Sequence, residues 1–226
     1  MGKEKSFMYT DTEITVLRNF SSINTSMVLK GTGFSVINNS KSVIGNFEFE
    51  QPYDYESFGI YETSEFLTAL NAMKDPKIVV SEKYLTIMDG TSKLKYFTTA
   101  QDLLPVVPDV ETKFSTLDCE LDFTITADKL AFLLKMASIL KSKFLFFETD
   151  SKKIRITAGD ELSSSNNSYV VEISDCIKSN RLDAPVKIAL EFFKLIPSDY
   201  NVSLSKKISK WVSPNGIVYY VGCSAV

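Results

Sequence analysis

Hydrophobic positions along the chain switch between a period near 3.6 and a period of two, and the order of those switches occurs twice. Residues 11–24, DTEITVLRNFSSIN, place Ile14, Leu17, Phe20 and Ile23 on one stripe, which predicts an amphipathic helix. The same spacing returns 116 positions later in residues 126–142, TADKLAFLLKMASILKS, through Leu130, Leu133, Met136 and Ile139. Strand-like runs follow each helix, then a second predicted helix, then a hairpin-like close. That second helix is TSEFLTALNAMK (63–74) in the first half and ALEFFKLIP (189–197) in the other, where Glu65-Phe66 and Glu191-Phe192 stand 126 apart. The two offsets differ by ten residues, which the polar loop GDELSSSNNS (159–168) absorbs. An insertion confined to a loop marks two copies of one supersecondary unit.

Between the helices the alternation is that of pleated strands. MVLKGTGFSVINN (27–39) predicts two strands meeting near Gly31-Gly33, and SVIGNFEFE (42–50) a third. Residues 77–98 alternate through Ile78, Val80, Ile87, Leu94 and Tyr96, with turns at Ser81-Lys83 and Asp89-Gly90. KFLFFE and KIRITA around Thr149-Lys153, then SYVVEIS (168–174), repeat the scheme. The last run, 202–223, contains Asn215-Gly216, the strongest hairpin signal, because both turn positions tolerate positive φ. The fold class is therefore α+β, with two tandem similar domains of two helices each on antiparallel sheet. The boundaries fall at 1–100 for the first, 101–116 for a connector and 117–226 for the second. In the stretch TAQDLLPVVPDVETKFST (99–116), Pro105 and Pro108 exclude a sheet interior, while Leu103, Leu104, Val106 and Val107 are too apolar for an idle linker. They either pack down on the domains or border a hydrophobic pocket for a partner's peptide.

Composition narrows the function. The chain has 226 residues, a formal charge of −3 and a pI near 5.2, which argues against a surface that is basic all round. Residues 1–112 hold 10 Lys+Arg against 15 Asp+Glu, and 113–226 hold 15 against 13, so attraction for an anion should lie mainly in the second half. Cys119, Cys176 and Cys223 are isolated, which fits a reduced, intracellular protein. No signal peptide or membrane-spanning run is predicted. Met1-Gly2 with Ser6 matches the myristoylation pattern, but without a second membrane signal a plain N-terminal arm is the simpler reading.

No histidine is present, which removes the commonest general base and metal ligand and every Ser-His or Cys-His nucleophile. The glycines of GTG (31–33) lead into strand residues, not into a P-loop. Asp54 with Glu56, or Asp118 with Glu120 and Asp122, have the ligand chemistry for Mg²⁺, yet acids at alternate strand positions fit a solvated face better. The expectation is a binding or scaffolding protein, with no enzymatic activity and no cofactor or metal.

The stretches LRNFSSINTSMVLKGTGF (17–34) and FGIYETSEFLTALNAMKDPKIVVSEKYLTIMDG (58–90) resemble the DNA polymerase sliding clamps (processivity factors) of T-even-like bacteriophages. The likeness spans most of residues 11–114 in local detail and is one of architecture in the second half. It implies a homotrimeric ring whose subunits close head to tail, threaded by duplex DNA without base readout, and located in the cytoplasm of the infected bacterial host. Its implied partners are a DNA polymerase C-terminal peptide and a clamp loader, with a late-transcription factor as a further candidate. On that reading Arg18, Lys74, Lys129, Lys135 and Lys194 face DNA, while Lys206, Lys207 and Lys210 are strand-edge or loop charges. The four predicted helices together sum to only −1, poorer than a basic channel would suggest. The partner pocket falls on Leu103, Leu104, Pro105 and Val106 with the C-terminal residues from Cys223 to Val226. The alternatives are an oligomeric virion or tail structural protein made of duplicated antiparallel sheets, and a monomeric processivity factor. The second of these needs a basic face that this acidic chain lacks.

Overall fold

The computed structural model describes residues 6–149, 153–162, 166–174, 176–179, 182 and 184–226. The Met1-Gly2 start, the tip of the Thr149-Lys153 turn, the middle of the 159–168 loop and the side chain of Cys176 lie outside them. The chain divides into two compact units, Met1–Asn39 with Gly45–Val107, and Ser40–Ile44 with Pro108–Val226.

In the first unit, α1 (Asp11–Ile23) begins at a cap that the sequence supplies. Thr10 Oγ1 accepts from the Glu13 N–H at 3.2 Å, and the Glu13 carboxylate accepts from the Thr10 N–H at 2.7 Å. Val16, Leu17, Phe20 and Ile23 are buried, so the inward stripe includes Val16, whereas Ile14 is only half-buried. Strands β1 (Met27–Lys30), β2 (Gly33–Ile37), β3 (Val43–Glu48) and β4 (Ser57–Ile60) lie in the order β3-β2-β1-β4. α2 (Thr63–Asn71) packs beside α1. A three-stranded sheet follows, β5 (Lys77–Val80), β6 (Tyr84–Asp89) and β7 (Ser92–Phe97), turning at both places the alternation indicates. α2 stops three residues short of the expected end. Pro76 disfavours helical backbone at Asp75, and the Asp89 carboxylate takes the Lys74 N–H at 2.9 Å instead.

The second unit opens on a single helical turn, α3 (Glu111–Phe114), then β8 (Leu121–Ile125) and α4 (Ala127–Ile139). Next come β9 (Phe144–Thr149), β10 (Ile154–Gly159), β11 (Tyr169–Ile173), β12 (Cys176–Ser179) and β13 (Val186–Ala189). The chain ends with β14 (Tyr200–Leu204), β15 (Ile208–Val212), β16 (Ile217–Gly222) and β17 (Ser224–Ala225). Two antiparallel sheets result, β12-β8-β14-β15-β16 and β11-β10-β9-β13-β17. The Asn215-Gly216 hairpin joins β15 to β16, with Gly216 at φ 76°. Trp211 is fully buried among Phe193, Tyr200, Phe123 and Phe147, and its indole N–H donates to Ser209 Oγ at 2.9 Å.

The repeat is visible in α1 and α4, both 13 residues long and both opened by a threonine cap. α4 leaves through a left-handed turn. Lys141 has φ 53°, its N–H donates to Ser138 O at 3.1 Å, and the Ser142 N–H reaches Ala137 O at 2.9 Å.

Two expectations need correction. Leu130, Leu133 and Ala137 form the buried stripe of α4, while Ile139 is 62% exposed. Residues 189–197 do not form a second helix; they make only a 3₁₀ turn at Leu190–Phe192. β13 runs to Ala189 and Pro197 disfavours helical backbone at Ile196, so too few residues remain to repay helix nucleation. Phe193 instead turns onto Trp211, with ring centroids 4.9 Å apart.

Candidate nucleic-acid interface and docking surfaces

The five cations picked from the sequence are all exposed. Arg18 lies on α1 away from the Leu17–Phe20 face, and Lys129 and Lys135 lie on α4. Lys74 follows the end of α2, and Lys194 follows the 3₁₀ turn, so neither sits on a helix as expected. On α4, Asp128, Phe132, Lys135 and Ile139 follow one another at spacings of four, three and four, all exposed. That outward face is mixed, not a basic stripe. Acidic charge on α1 is partly withdrawn, because the buried Glu13 carboxylate also accepts from the Tyr53 hydroxyl at 2.7 Å.

Lys206 and Lys207 occupy the exposed β14–β15 turn. Lys210 is not an edge charge. It stands on β15, inside its sheet, with its ammonium 2.7 Å from both carboxylate oxygens of Glu111. The Tyr220 hydroxyl donates to the same carboxylate. These hydrogen bonds, those of Lys210 first, hold the Glu111 carboxyl below the usual range and dock α3, whose Phe114 packs on Tyr220.

The connector residues divide by exposure. Leu103 is 74% and Val106 84% exposed, Pro105 is half-buried, and Leu104 is only 5% exposed. Gly59 makes the burial of Leu104 possible. A Cβ there would stand 2.7 Å from Leu104 Cδ1 and 2.4 Å from the Thr99 carbonyl. In the second unit, Cys223 Sγ donates to the Ser205 carbonyl at 3.1 Å, and burial pushes its thiol up to about 12. The Val226 N–H donates to Pro185 O at 2.9 Å while the residue is 57% exposed. Among the described residues no group of three or more Cys, Asp or Glu side chains is arranged to hold a metal ion. None of the helices described is long and apolar enough to cross a membrane.

Sequence reasoning did not single out two strands that end their sheets among the described residues. β7 ends the three-stranded sheet, with Leu94 and Phe97 exposed and the Lys95 ammonium 4.0 Å from the Tyr84 ring centroid. β11 ends the five-stranded sheet, with Val170 exposed and Glu172 paired to Lys153 at 2.9 Å and Arg155 at 3.6 Å. The signal available was the run SKLKYF, whose charges suit a strand edge.

No family model matches the sequence. The chain is 25% identical over 221 residues to the sliding clamp of Vibrio phage KVP40, covering 93% of this chain and 92% of that one. A. fulgidus PCNA, solved with the C-terminal region of FEN-1, superposes with a TM-score of 0.67 at 15% identity and covers 95% of both chains. The Helicobacter pylori beta clamp bound to a DNA ligase peptide gives 0.66 at 13% identity, covering 94% of this chain. This chain spans only 64% of that clamp's length.

Proposed function

We infer that this chain is a sliding clamp, which encircles duplex DNA and tethers the replicative DNA polymerase for processive synthesis. One observation carries the reading: the match to a phage clamp runs through both units, over 93% of this chain and 92% of the relative. The shared fold with PCNA agrees with it. The function needs no catalytic residue. A duplex held by enclosure stays bound while contacts along it remain weak, so a net charge of −3 is compatible with DNA binding. The tethered polymerase is then kept at high effective concentration at the primer end.

The ring is a homotrimer on this reading, with six units around the duplex. A head-to-tail contact that closes makes a ring, and β7 of one copy pairing with β11 of the next removes both open edges. Arg18, Lys74, Lys129, Lys135 and Lys194 supply the positive groups facing DNA. Leu103 and Val106, held out by the buried Leu104, offer the polymerase peptide an apolar contact, and Cys223 to Val226 offer another. A clamp loader opens the ring.

Topology gives the test. Placed on nicked circular DNA by its clamp loader, the protein should survive a high-salt wash and be released when the circle is cut. Equal retention on open linear and circular DNA refutes encirclement. A mass of one subunit by light scattering at micromolar concentration refutes the trimer.

A further inference from the structure

We propose that the first unit binds single-stranded nucleic acid on the face of the β5-β6-β7 sheet turned away from α2. The pairing registers fix which side chains share that face. Lys77, Met88 and Lys93 stand directly opposite one another across the three strands, Thr86 stands opposite Lys95, and Tyr84 opposite Phe97. The other face packs on α2, where the Tyr96 ring lies 5.5 Å from that of Phe66 and its hydroxyl donates to Glu62 O at 3.3 Å. Lys77, Lys93 and Lys95 are exposed, and Phe97 is 67% exposed. Val79 is buried, so the surface on offer is that of β6 and β7 with Lys77 at its margin.

Charge and rings select the occupant. No acid stands on this face of the three strands, and among the described residues no carboxylate pairs with any of the three ammonium groups. Asp89 belongs to the face toward α2, where its carboxylate takes the Lys74 N–H, and Glu82 is offset by Lys83 beside it. Lysines on β7 alone would suit edge protection. Lys77 lies on another strand, however, and an exposed Phe97 works against that role. The Lys95 ammonium lies 4.0 Å from the Tyr84 ring centroid and 5.0 Å from that of Phe97. Residues two apart on a strand are about 6.8 Å apart, so a ligand laid along β7 meets Lys93, Lys95 and then the Phe97 ring. Lysines that hold phosphates beside a ring on which any base stacks are the combination that single strands use. An acidic peptide would use the lysines and leave Phe97 idle. These side chains stand perpendicular to the sheet, whereas a strand added at β7 lies in its plane, so the proposal does not depend on the ring.

The probe is a fluorescein-labelled thymidine oligonucleotide of about twelve residues, with a uridine oligonucleotide of equal length beside it. The controls are a duplex of that length and a polyglutamate peptide of equal charge. Titrated into the ¹⁵N-labelled full chain, the thymidine strand should shift the Thr86, Lys93, Lys95 and Phe97 amides saturably. Log affinity should fall against log salt with a slope of about −2, from three lysines at about 0.7 each. Phe97→Ser should weaken binding about fivefold or more and leave polyglutamate unaffected, while Lys77→Glu, away from the β7 edge, should weaken it about threefold or more. The tighter of the two single strands names DNA or RNA as the source. Polyglutamate or duplex binding as tightly at the same amides overturns the proposal, as does no shift up to millimolar strand. Shifts confined to Arg18, Lys129 or Lys135 overturn it, and so do shifts that follow protein concentration alone, which assign the face to a second copy. If Phe97→Ser does not fold, Lys77→Glu and the four ligands on the unaltered chain decide the matter. The assay needs neither clamp loader nor circular DNA, so its failure leaves encirclement standing.

Discussion

Gly59→Ala tests how the connector is anchored. The new Cβ would lie 2.4 Å from the Thr99 carbonyl oxygen and 2.7 Å from Leu104 Cδ1. Carbon and oxygen settle no closer than about 3.3 Å, so the backbone at Thr99 must retreat by almost an ångström. That breaks the Thr99 N–H to Gly59 O bond, now 2.9 Å, at a net cost of about 1 kcal/mol. Leu104 is displaced as well, and losing most of its burial costs about 1–3 kcal/mol. The first unit should lose about 2–4 kcal/mol in urea unfolding, with hydrogen exchange accelerating first at the Thr99 and Leu104 amides. Peptide binding at Leu103 and Val106 should weaken in parallel. A loss below about 0.5 kcal/mol with unchanged exchange at Thr99 would refute the argument that Gly59 holds the connector.

Three further outcomes are expected. Glu111→Gln should destabilise the second unit at pH 7 by less than about 1 kcal/mol, since Glu111 is half exposed. Its folded carboxyl lies below the unfolded value near 4.5, so this stability is present above pH 4.5 and lost as pH falls through the folded value. Melting curves of variant and parent should therefore converge in acid; a gap independent of pH rejects the ion pair. Lys141→Gly relieves a left-handed residue at φ 53° and should raise stability by about 0.5–1 kcal/mol in denaturant titration, with no gain if that turn is unstrained. Lys129→Glu with Lys135→Glu should reduce processivity and flatten the slope of log affinity against log salt by about two units, leaving assembly intact; unchanged processivity at moderate salt assigns the duplex to another face.

How far the fold could be read ahead depended on the range of the forces involved. Both long helices start at Thr10 and Thr126, where a threonine side chain and the amide three residues on meet within one turn. Residues 77–98 and the Asn215-Gly216 hairpin are equally local, since each strand pairs with its neighbour in sequence. The segment 189–197 failed because its two phenylalanines fit a helical period as well as they fit a core. Only Trp211, supplied by a strand some twenty residues on, claims Phe193.

Site residues were less legible for the same reason. The lysines were identifiable by type, and their exposure followed, but the mixed outer face of α4 emerges only once Leu130, Leu133 and Ala137 are known to point inward. Within LLPV (103–106), nothing local says that Leu104 alone is buried; a glycine 45 positions earlier makes the space. Lys210 looks like any strand cation until Glu111 is brought beside it.

Sequence alone determined the doubled α+β plan, the absence of histidine chemistry and the places where the chain turns, because capping, alternation and turn preference act over a few residues. Tertiary structure decided which strands are left at sheet edges and which connector side chain is swallowed. Those depend on pairings between residues far apart in the chain, whose energies exist only after the backbone has closed upon itself.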